Sequence, residues 1–156
     1  ENRIPACAKH MAISDALTER IIGCGIAIHR ALGPGLLESA YEECIALEFR
    51  EAGLSFQRQV PLPVVYKTIR LEQGYRIDFV IEGTVVLEIK SLERLLPVHE
   101  AQLLTYLRLS GLRTGLLVNF GAAVLREGIR RMSLREAPDS FSPPPRLPAN
   151  LSSDDA

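Results

Sequence analysis

Two neighbouring apolar segments of the sequence each carry a carboxylate where the core of a strand is expected. VVLEIKS, residues 85–91, contains Glu88 and Lys90 within an apolar, β-branched run, and RIDFVI, residues 76–81, contains Asp78. Because side chains alternate along a strand, Glu88 and Lys90 point to the same face. Burying such charges is costly unless they are paired or bind a metal ion. The pattern therefore indicates either a metal site or a buried ion-pair cluster.

A short turn is predicted to bring the two segments together. Glu82-Gly83 has the residue types of a tight hairpin turn, so the two segments become neighbouring strands, and Asp78 comes near Glu88 if the register puts them on one face. Two carboxylates suit Mg²⁺ or Mn²⁺, which prefer oxygen ligands and leave room for water and a substrate phosphate. With Lys90 to orient water or to offset charge on the phosphate, the chemistry indicated is phosphodiester hydrolysis. The ion-pair cluster remains the alternative.

The elements around these residues are those of one α/β domain. Caps, periodicity and turn residues predict first a helix from Ser14, a GPG turn at 33–35 and a helix over 36–52. Strands follow over 54–60, 71–81 and 84–91, with a Pro-containing edge over 61–66. The last elements are a helix over 97–110, a strand over 114–120 and a short Arg-rich helical segment over 124–135. The core order is thus helix, three strands, helix and strand, preceded by one extra helix.

Length, charge and cysteines limit the class of protein. The chain has 156 residues, which is the usual size of one domain, and its net charge of −1 argues against a nucleic-acid coat protein, which would be strongly basic. The three cysteines are too few and too scattered for a disulfide framework or a zinc site, and the longest apolar run near the start is too short to span a bilayer. A cytoplasmic protein that does not bind membranes is expected.

Composition divides the chain into three parts. Residues 1–12 show no clear periodicity and are expected to be a flexible leader, and residues 13–136 form the domain. Residues 137–156 are rich in Pro, Ser and Asp with little to bury, so a disordered tail is expected.

Four segments, taken in order and including parts of the two already described, resemble a known family. They are GLLESAY at 35–41, RIDFV at 76–80, LEIKS at 87–91 and HEAQLLTYL at 99–107, and together they resemble the GxxExxY family, a branch of the PD-(D/E)xK nuclease-like superfamily. The resemblance covers roughly residues 31–132. It implies an α/β fold with the PD-(D/E)xK (restriction-endonuclease-like) core, in the order αβββαβ, with the extra helix at the N-terminus. That order agrees with the elements predicted from the residues.

The resemblance also implies a set of site residues. Asp78 and Glu88 match its metal-binding carboxylates, Lys90 its catalytic lysine, and Gln102 and Tyr106 its Q-x-x-x-Y element. Gln102 and Tyr106 are four residues apart on one helical face, so both can reach the site, or both can instead satisfy buried backbone groups.

Glu38, which matches the glutamate of the GxxExxY signature, has two interpretations as well. Glu38 is either an extra carboxylate at the rim of the metal site, and so a third metal ligand and catalytic residue, or a helix-capping residue near Gly35. Tyr41 is expected to pack locally, and His99 to cap the helix that follows it or to make an outer hydrogen bond.

A basic segment bears on the substrate. Arg126, Arg130, Arg131 and Arg135 either contact phosphates without sequence specificity or form a solvated charged face with the glutamates between them.

Three functions remain open at this stage. The first is a metal-dependent nuclease that hydrolyses nucleic acid, DNA in preference to RNA. The second is a catalytically silent module of the same fold that binds nucleic acid or a protein partner in a larger processing or defence complex. The third is a homo-oligomer formed through the extra N-terminal helix, where Gly23 and Gly25 would permit close helix approach.

Overall fold

The computed structural model describes residues 6–72 and 74–134, and within residues 6–14 it describes the backbone alone. In chain order the elements are α1 (Ala6–Leu32), α2 (Glu38–Glu51), β1 (Phe56–Pro61), β2 (Val64–Tyr66), β3 (Ile69–Leu71), β4 (Arg76–Ile81), β5 (Val85–Lys90), α3 (Pro97–Ser110), β6 (Thr114–Asn119), a 3-10 helix (Leu125–Gly128) and β7 (Ile129–Ser133). No helix in this described part is both long and apolar enough to cross a membrane.

The main sheet has five strands in the order β1-β4-β5-β6-β7. Its strands pair antiparallel except for β5 and β6, which are parallel. A parallel pair needs a crossover connection, and α3 supplies it. The strands β2 and β3 pair only with each other and form a separate hairpin between β1 and β4. The predicted α/β class and the order of the core elements are therefore confirmed.

The central strand β5 is covered on both faces. Val85, Leu87 and Ile89 pack with residues of α1 and α2, whereas Val86 packs with Leu103 and other residues of α3. This division follows from the alternation of side chains along a strand. The face that carries Val86 is also the face of Glu88 and Lys90.

The GPG turn sets where α2 begins. Gly33 and Gly35 have φ values of 67° and 109°, which favour glycine, and the Tyr41 hydroxyl donates to the Gly33 carbonyl over 2.5 Å. The same hydroxyl accepts from the Leu36 amide over 3.2 Å, and the ring stacks on Phe120 with centroids 4.3 Å apart. Tyr41 thus has the local packing role that was predicted, and it fixes the turn to the core.

Three predicted elements differ in the structure. Helix α1 begins at Ala6 instead of Ser14, because the Ala-rich stretch before Ser14 has high helix propensity, so the helix includes part of the expected leader. The predicted strand over 71–81 is interrupted between β3 and β4. The segment over 124–135 is helical for one 3-10 turn only and continues as β7, which pairs with β6. The expected tail, 137–156, lies outside the described residues.

The two glycines proposed for a helix interface have different surroundings. Gly25 is buried and faces Leu125 and Phe120, so it is used for packing inside the domain, while Gly23 is exposed. The oligomer through α1 stays a prediction.

Candidate active site

Asp78 and Glu88 meet where the β4–β5 ladder ends. The two strands pair from Ile81 and Val85 to Phe79 and Leu87, and the next residues on each strand are Asp78 and Glu88. Here side chains replace backbone acceptors. The Asp78 amide donates to Glu88 Oε1 over 3.1 Å, and the Ile89 amide donates to Asp78 Oδ2 over 2.8 Å. These two bonds hold the carboxyl groups side by side, and the proximity agrees with the prediction made from the short turn between the strands.

Burial alters the protonation of this pair. Glu88 is only 4% exposed, and burial, followed by the charge of Asp78, raises its pKa to about 9. Burial likewise raises the pKa of Asp78, although the Ile89 amide opposes that change. Glu88 therefore holds a proton at neutral pH in the free protein, because two adjacent buried carboxylates do not both ionise without a compensating cation.

Lys90 does not supply that compensation by direct contact. It lies half-buried at the end of β5, and its charge offsets only part of the effect of burial on the pKa of the two carboxyls. Among the described residues no ion pair joins Lys90 to Asp78 or Glu88. Within the described part of the chain the alternative of a closed ion-pair cluster is thus not formed.

Helix α3 brings Tyr106 to the same place. The Gln102 side-chain amide donates to the Tyr106 hydroxyl over 3.1 Å. Burial above all, then the charges of Glu88 and Asp78, raises the pKa of that hydroxyl, so Tyr106 lies close to both carboxylates and stays protonated. In the described part of the chain these two side chains bond to each other and not to a backbone group.

Two residues that sequence reasoning missed also lie here. The Gln59 amide donates to both carboxylate oxygens of Glu42, over 3.0 and 3.1 Å, and lies 3.4 Å from Asp78 Oδ1. Gln59 lies where the β1–β4 register skips one residue on each strand, between the pairs Arg58–Phe79 and Val60–Ile77. Its φ of 49° is a strained value for a residue other than glycine. The one signal in the sequence was that Glu42 follows Glu38 by one helical turn and so shares its face.

Glu38 itself is not brought into this group. It is the first residue of α2, it is exposed, and no described hydrogen bond or ion pair joins it to Asp78 or Glu88. The side chain makes no capping hydrogen bond either, since α2 has none at its N-terminus. Of the two carboxylates on this helical face, Glu42 is the one that approaches Asp78.

The loop after β5 is fixed by a buried amide. Asn119 accepts from the Leu92 amide over 2.9 Å and donates to the Leu92 carbonyl over 3.0 Å. The Phe120 amide donates to the Lys90 carbonyl over 2.8 Å, so the residue that follows β6 fixes the end of β5.

His99 accepts from the Leu96 amide over 2.9 Å and caps α3, as predicted.

The two carboxyl groups are potential ligands of a divalent cation. The described residues contain no cluster of three or more His, Cys, Asp or Glu side chains that would hold a metal ion by themselves. Mg²⁺, however, is commonly held by one or two carboxylates plus waters and substrate phosphates. Asp78 and Glu88 supply two such carboxyl groups, and neither is ion-paired with another described residue, so they fit that requirement.

The arginines near the C-terminal strand do not form a free basic patch. Arg130 lies 3.5 Å from Glu100, and Arg126 lies 3.9 Å from Glu19. Arg131 pairs with Asp15. Arg135 lies outside the described residues. Each described arginine of the segment thus has an acidic neighbour, which favours the charged-face interpretation over phosphate contacts.

The chain is similar to a family of known proteins. A model of the PD-(D/E)XK nuclease superfamily matches residues 15–132. The chain therefore belongs to this superfamily. No curated protein and no solved structure matches it.

Proposed function

We propose that this protein is a metal-dependent nuclease of the GxxExxY branch that hydrolyses phosphodiester bonds in nucleic acid, DNA in preference to RNA. The observation that carries the proposal is the hydrogen bonding of Asp78 and Glu88, which holds a half-buried and a buried carboxyl group side by side in a chain of a nuclease superfamily. Both lie within electrostatic range of Tyr106. The branch is supported by Gly35, Glu38 and Tyr41, which match its signature.

Asp78 and Glu88 are the residues that would hold Mg²⁺ or Mn²⁺. Bound there, the cation would supply positive charge to the phosphate and lower the pKa of a bound water. Glu88 must lose its proton for this, so cation binding and deprotonation of Glu88 are coupled. Glu38 stays the predicted third ligand, although Glu42 has the better support from its contacts with Gln59.

The remaining residues act on the phosphate directly. Lys90 lies on the face of Glu88, without an ion pair to any described residue, and is proposed to offset charge that develops on the phosphate. The Tyr106 hydroxyl stays protonated because its pKa is raised by burial first and by the two carboxylates next, so it can donate to a phosphate oxygen. Gln102 donates to that hydroxyl and orients it.

Cleavage assays test the proposal. Purified protein with Mg²⁺ or Mn²⁺ is incubated with single-stranded, duplex and branched DNA and with RNA, alongside Asp78→Asn and Lys90→Ala. We expect cleavage by the wild type and a loss of roughly 10²-fold or more in each variant, the effect of removing a group that stabilises transition-state charge.

The matched control is Arg113→Ala. Arg113 is an exposed cation just before β6, at the end of the parallel β5–β6 pair opposite to Lys90, and should leave the rate unchanged. Equal background cleavage by the wild type and both site variants on every substrate would refute the nuclease.

One observation favours the catalytically silent module. With its pKa raised by burial, Glu88 can stay neutral, so the carboxylate pair can persist without any cation. Calorimetric titration with Mg²⁺ separates the two functions, since a working site should bind the cation in the wild type and lose it in Asp78→Asn. No difference between the two proteins would favour the silent module.

A further inference from the structure

The β2–β3 hairpin exposes an apolar face outside the main sheet. Its register pairs Val64 with Leu71 and Tyr66 with Ile69, so these four side chains lie on one face. Val64 and Leu71, at the base, are half-buried, whereas Tyr66 at the tip is 62% exposed and Ile69 is also exposed. A two-stranded hairpin is only marginally stable alone, so exposed apolar side chains at its tip point to a binding role.

The hairpin is anchored next to the candidate active site. Pro61 pairs with Arg76 at its base, and the Leu62 amide donates to the Tyr75 carbonyl over 2.9 Å. Arg76 is the first residue of β4, two positions before Asp78. The base of the hairpin therefore adjoins the end of the strand that carries the catalytic aspartate.

Tyrosines connect the hairpin with the site. The chain has four tyrosines, and of these Tyr41 is buried beneath the GPG turn. The side chain of Tyr75 is exposed and lies close enough to Tyr106 to add to the factors, led by burial, that raise the pKa of that hydroxyl. Tyr66 at the tip and Tyr75 at the base thus lie on the chain segment that leads into the strand of Asp78, and Tyr75 is within electrostatic range of Tyr106.

The charge of this region matches an anionic partner. Residues 62–76 contain three basic side chains, Lys67, Arg70 and Arg76, and one acidic side chain, Glu72, in a chain whose net charge is −1. Glu72 pairs with Arg70 over 2.9 Å. The Lys67 ammonium lies over the Tyr66 ring, 5.5 Å from its centroid. The tip therefore combines an aromatic ring with a cation.

We propose that the β2–β3 hairpin binds unpaired bases of a single-stranded segment of the nucleic-acid substrate, with Tyr66 stacking on a base and Lys67 contacting the adjacent phosphate. This inference rests on the proposed nuclease function and names its substrate class. Aromatic rings beside basic groups are the combination that binds single strands, because neighbouring base pairs cover the base faces in a duplex, whereas a single strand leaves them open to a ring. A second copy of the chain is disfavoured, since a two-fold contact through the tip would bring each Lys67 towards its counterpart.

Binding can be measured without turnover. Fluorescence anisotropy in EDTA would use a fluorescein-labelled strand of about 20 thymidines, longer than the roughly 4–16 nucleotides that a single-strand-binding domain occupies, and a labelled duplex of the same length. Tyr66→Ala should weaken binding of the single strand about tenfold, as expected for the loss of one stacked base, whereas Tyr66→Phe should bind like the wild type. Lys67→Ala should lower the salt dependence of binding by about one phosphate contact.

Two controls and a melting curve accompany these variants. Leu47→Ala removes an exposed apolar side chain from α2, and Arg113→Ala removes an exposed cation from the far end of the sheet. Both should leave the affinity unchanged. Equal melting temperatures of Tyr66→Ala and Tyr66→Phe would show that lost binding is not lost folding.

The outcomes test strand binding by the hairpin separately from the proposed nuclease activity. Tyr66-dependent binding of the strand in a protein that cuts nothing would uphold the hairpin and refute the nuclease. Cleavage with equal affinity of Tyr66→Ala and the wild type for the strand would overturn the hairpin and uphold the nuclease. Wild-type affinity for the duplex equal to that for the strand, or a dimer in sedimentation that Tyr66→Ala dissociates, would also overturn the inference.

Discussion

The two faces of β5 have opposite compositions. On the face towards α1 and α2, Val85, Leu87 and Ile89 contribute to a core of buried apolar residues. On the other face Glu88, a carboxylic acid, is buried almost as deeply as its apolar neighbour Val86. Burial of a polar group costs free energy unless its hydrogen bonds are satisfied. The first face therefore stabilises the fold, whereas burial of Glu88 on the second face reduces that stability. The apolar face thus holds the fold, whereas the second face carries the residues proposed for the chemistry.

The largest expected effect is on the apolar face. Phe49→Ala empties a fully buried position whose ring packs edge-on against Phe79, with centroids 5.5 Å apart, and should cost about 3–5 kcal/mol of unfolding free energy in urea denaturation. Leu47→Ala, an exposed position on the same helix, should change it by less than about 0.5 kcal/mol. A small loss for Phe49→Ala would mean that this face is not the main source of stability.

The next effect concerns pH and the buried acid. Burial raises the pKa of Glu88 from its ordinary 4.5 to about 9, so between these values the folded chain holds a proton that the unfolded chain has lost. Raising the pH through this window should therefore destabilise the metal-free fold, by at most about 1.4 kcal/mol per pH unit.

Glu88→Gln sharpens that measurement because it keeps a neutral hydrogen-bonding side chain. Denaturation at a series of pH values should show a falling stability for the wild type and a flatter profile for the variant. Identical profiles would mean that Glu88 ionises normally and that its burial takes little from the free energy of unfolding.

A smaller change in stability should accompany a clear change in activity at Tyr106. Tyr106→Phe removes the hydroxyl that accepts from Gln102 and should cost about 1 kcal/mol, because a typical hydrogen bond contributes that much. Cleavage should fall by tenfold or more, while Thr105→Ala, an exposed neighbour on α3, should alter neither quantity. Unchanged cleavage by Tyr106→Phe would remove the hydroxyl from the proposed chemistry.

The smallest effect is expected at the arginines. Arg131→Ala breaks a partly exposed ion pair with Asp15 and should change stability by about 0–1 kcal/mol. Affinity for nucleic acid should stay the same. A loss of several-fold in anisotropy titrations would restore the phosphate-contact role and place part of the substrate on a surface that the comparison of faces leaves out.

Local signals account for the elements that were predicted well. Helix α3 runs from Pro97 to Ser110 as expected, because Pro favours a helix start and Gly111, at a φ of 73°, ends it. Asp78 and Glu88 meet because the turn between their strands is short. In contrast, β7 exists through its pairing with β6, and an Arg-rich segment read alone gives no sign of such a partner.

The site was predictable where one hairpin carries it and unpredictable where separate elements meet. The approach of Glu42 to Asp78 through Gln59 depends on how α2 packs beside β1 and on a left-handed residue that no local pattern indicates. The partners of the arginines were equally hidden, since Glu19 and Asp15 lie on α1, more than one hundred residues earlier in the chain.

The sequence by itself determined the α/β class, the alternation that separates the two faces of β5, and the meeting of Asp78 with Glu88 across a short turn, because each depends on contacts between residues close in the chain. Only the tertiary structure decided that Glu42 in place of Glu38 approaches Asp78, that Lys90 forms no ion pair with Asp78 or Glu88, and that Glu88 is buried deeply enough to hold a proton. These outcomes depend on burial and on distances between remote segments, and both are set by the packing of the whole domain.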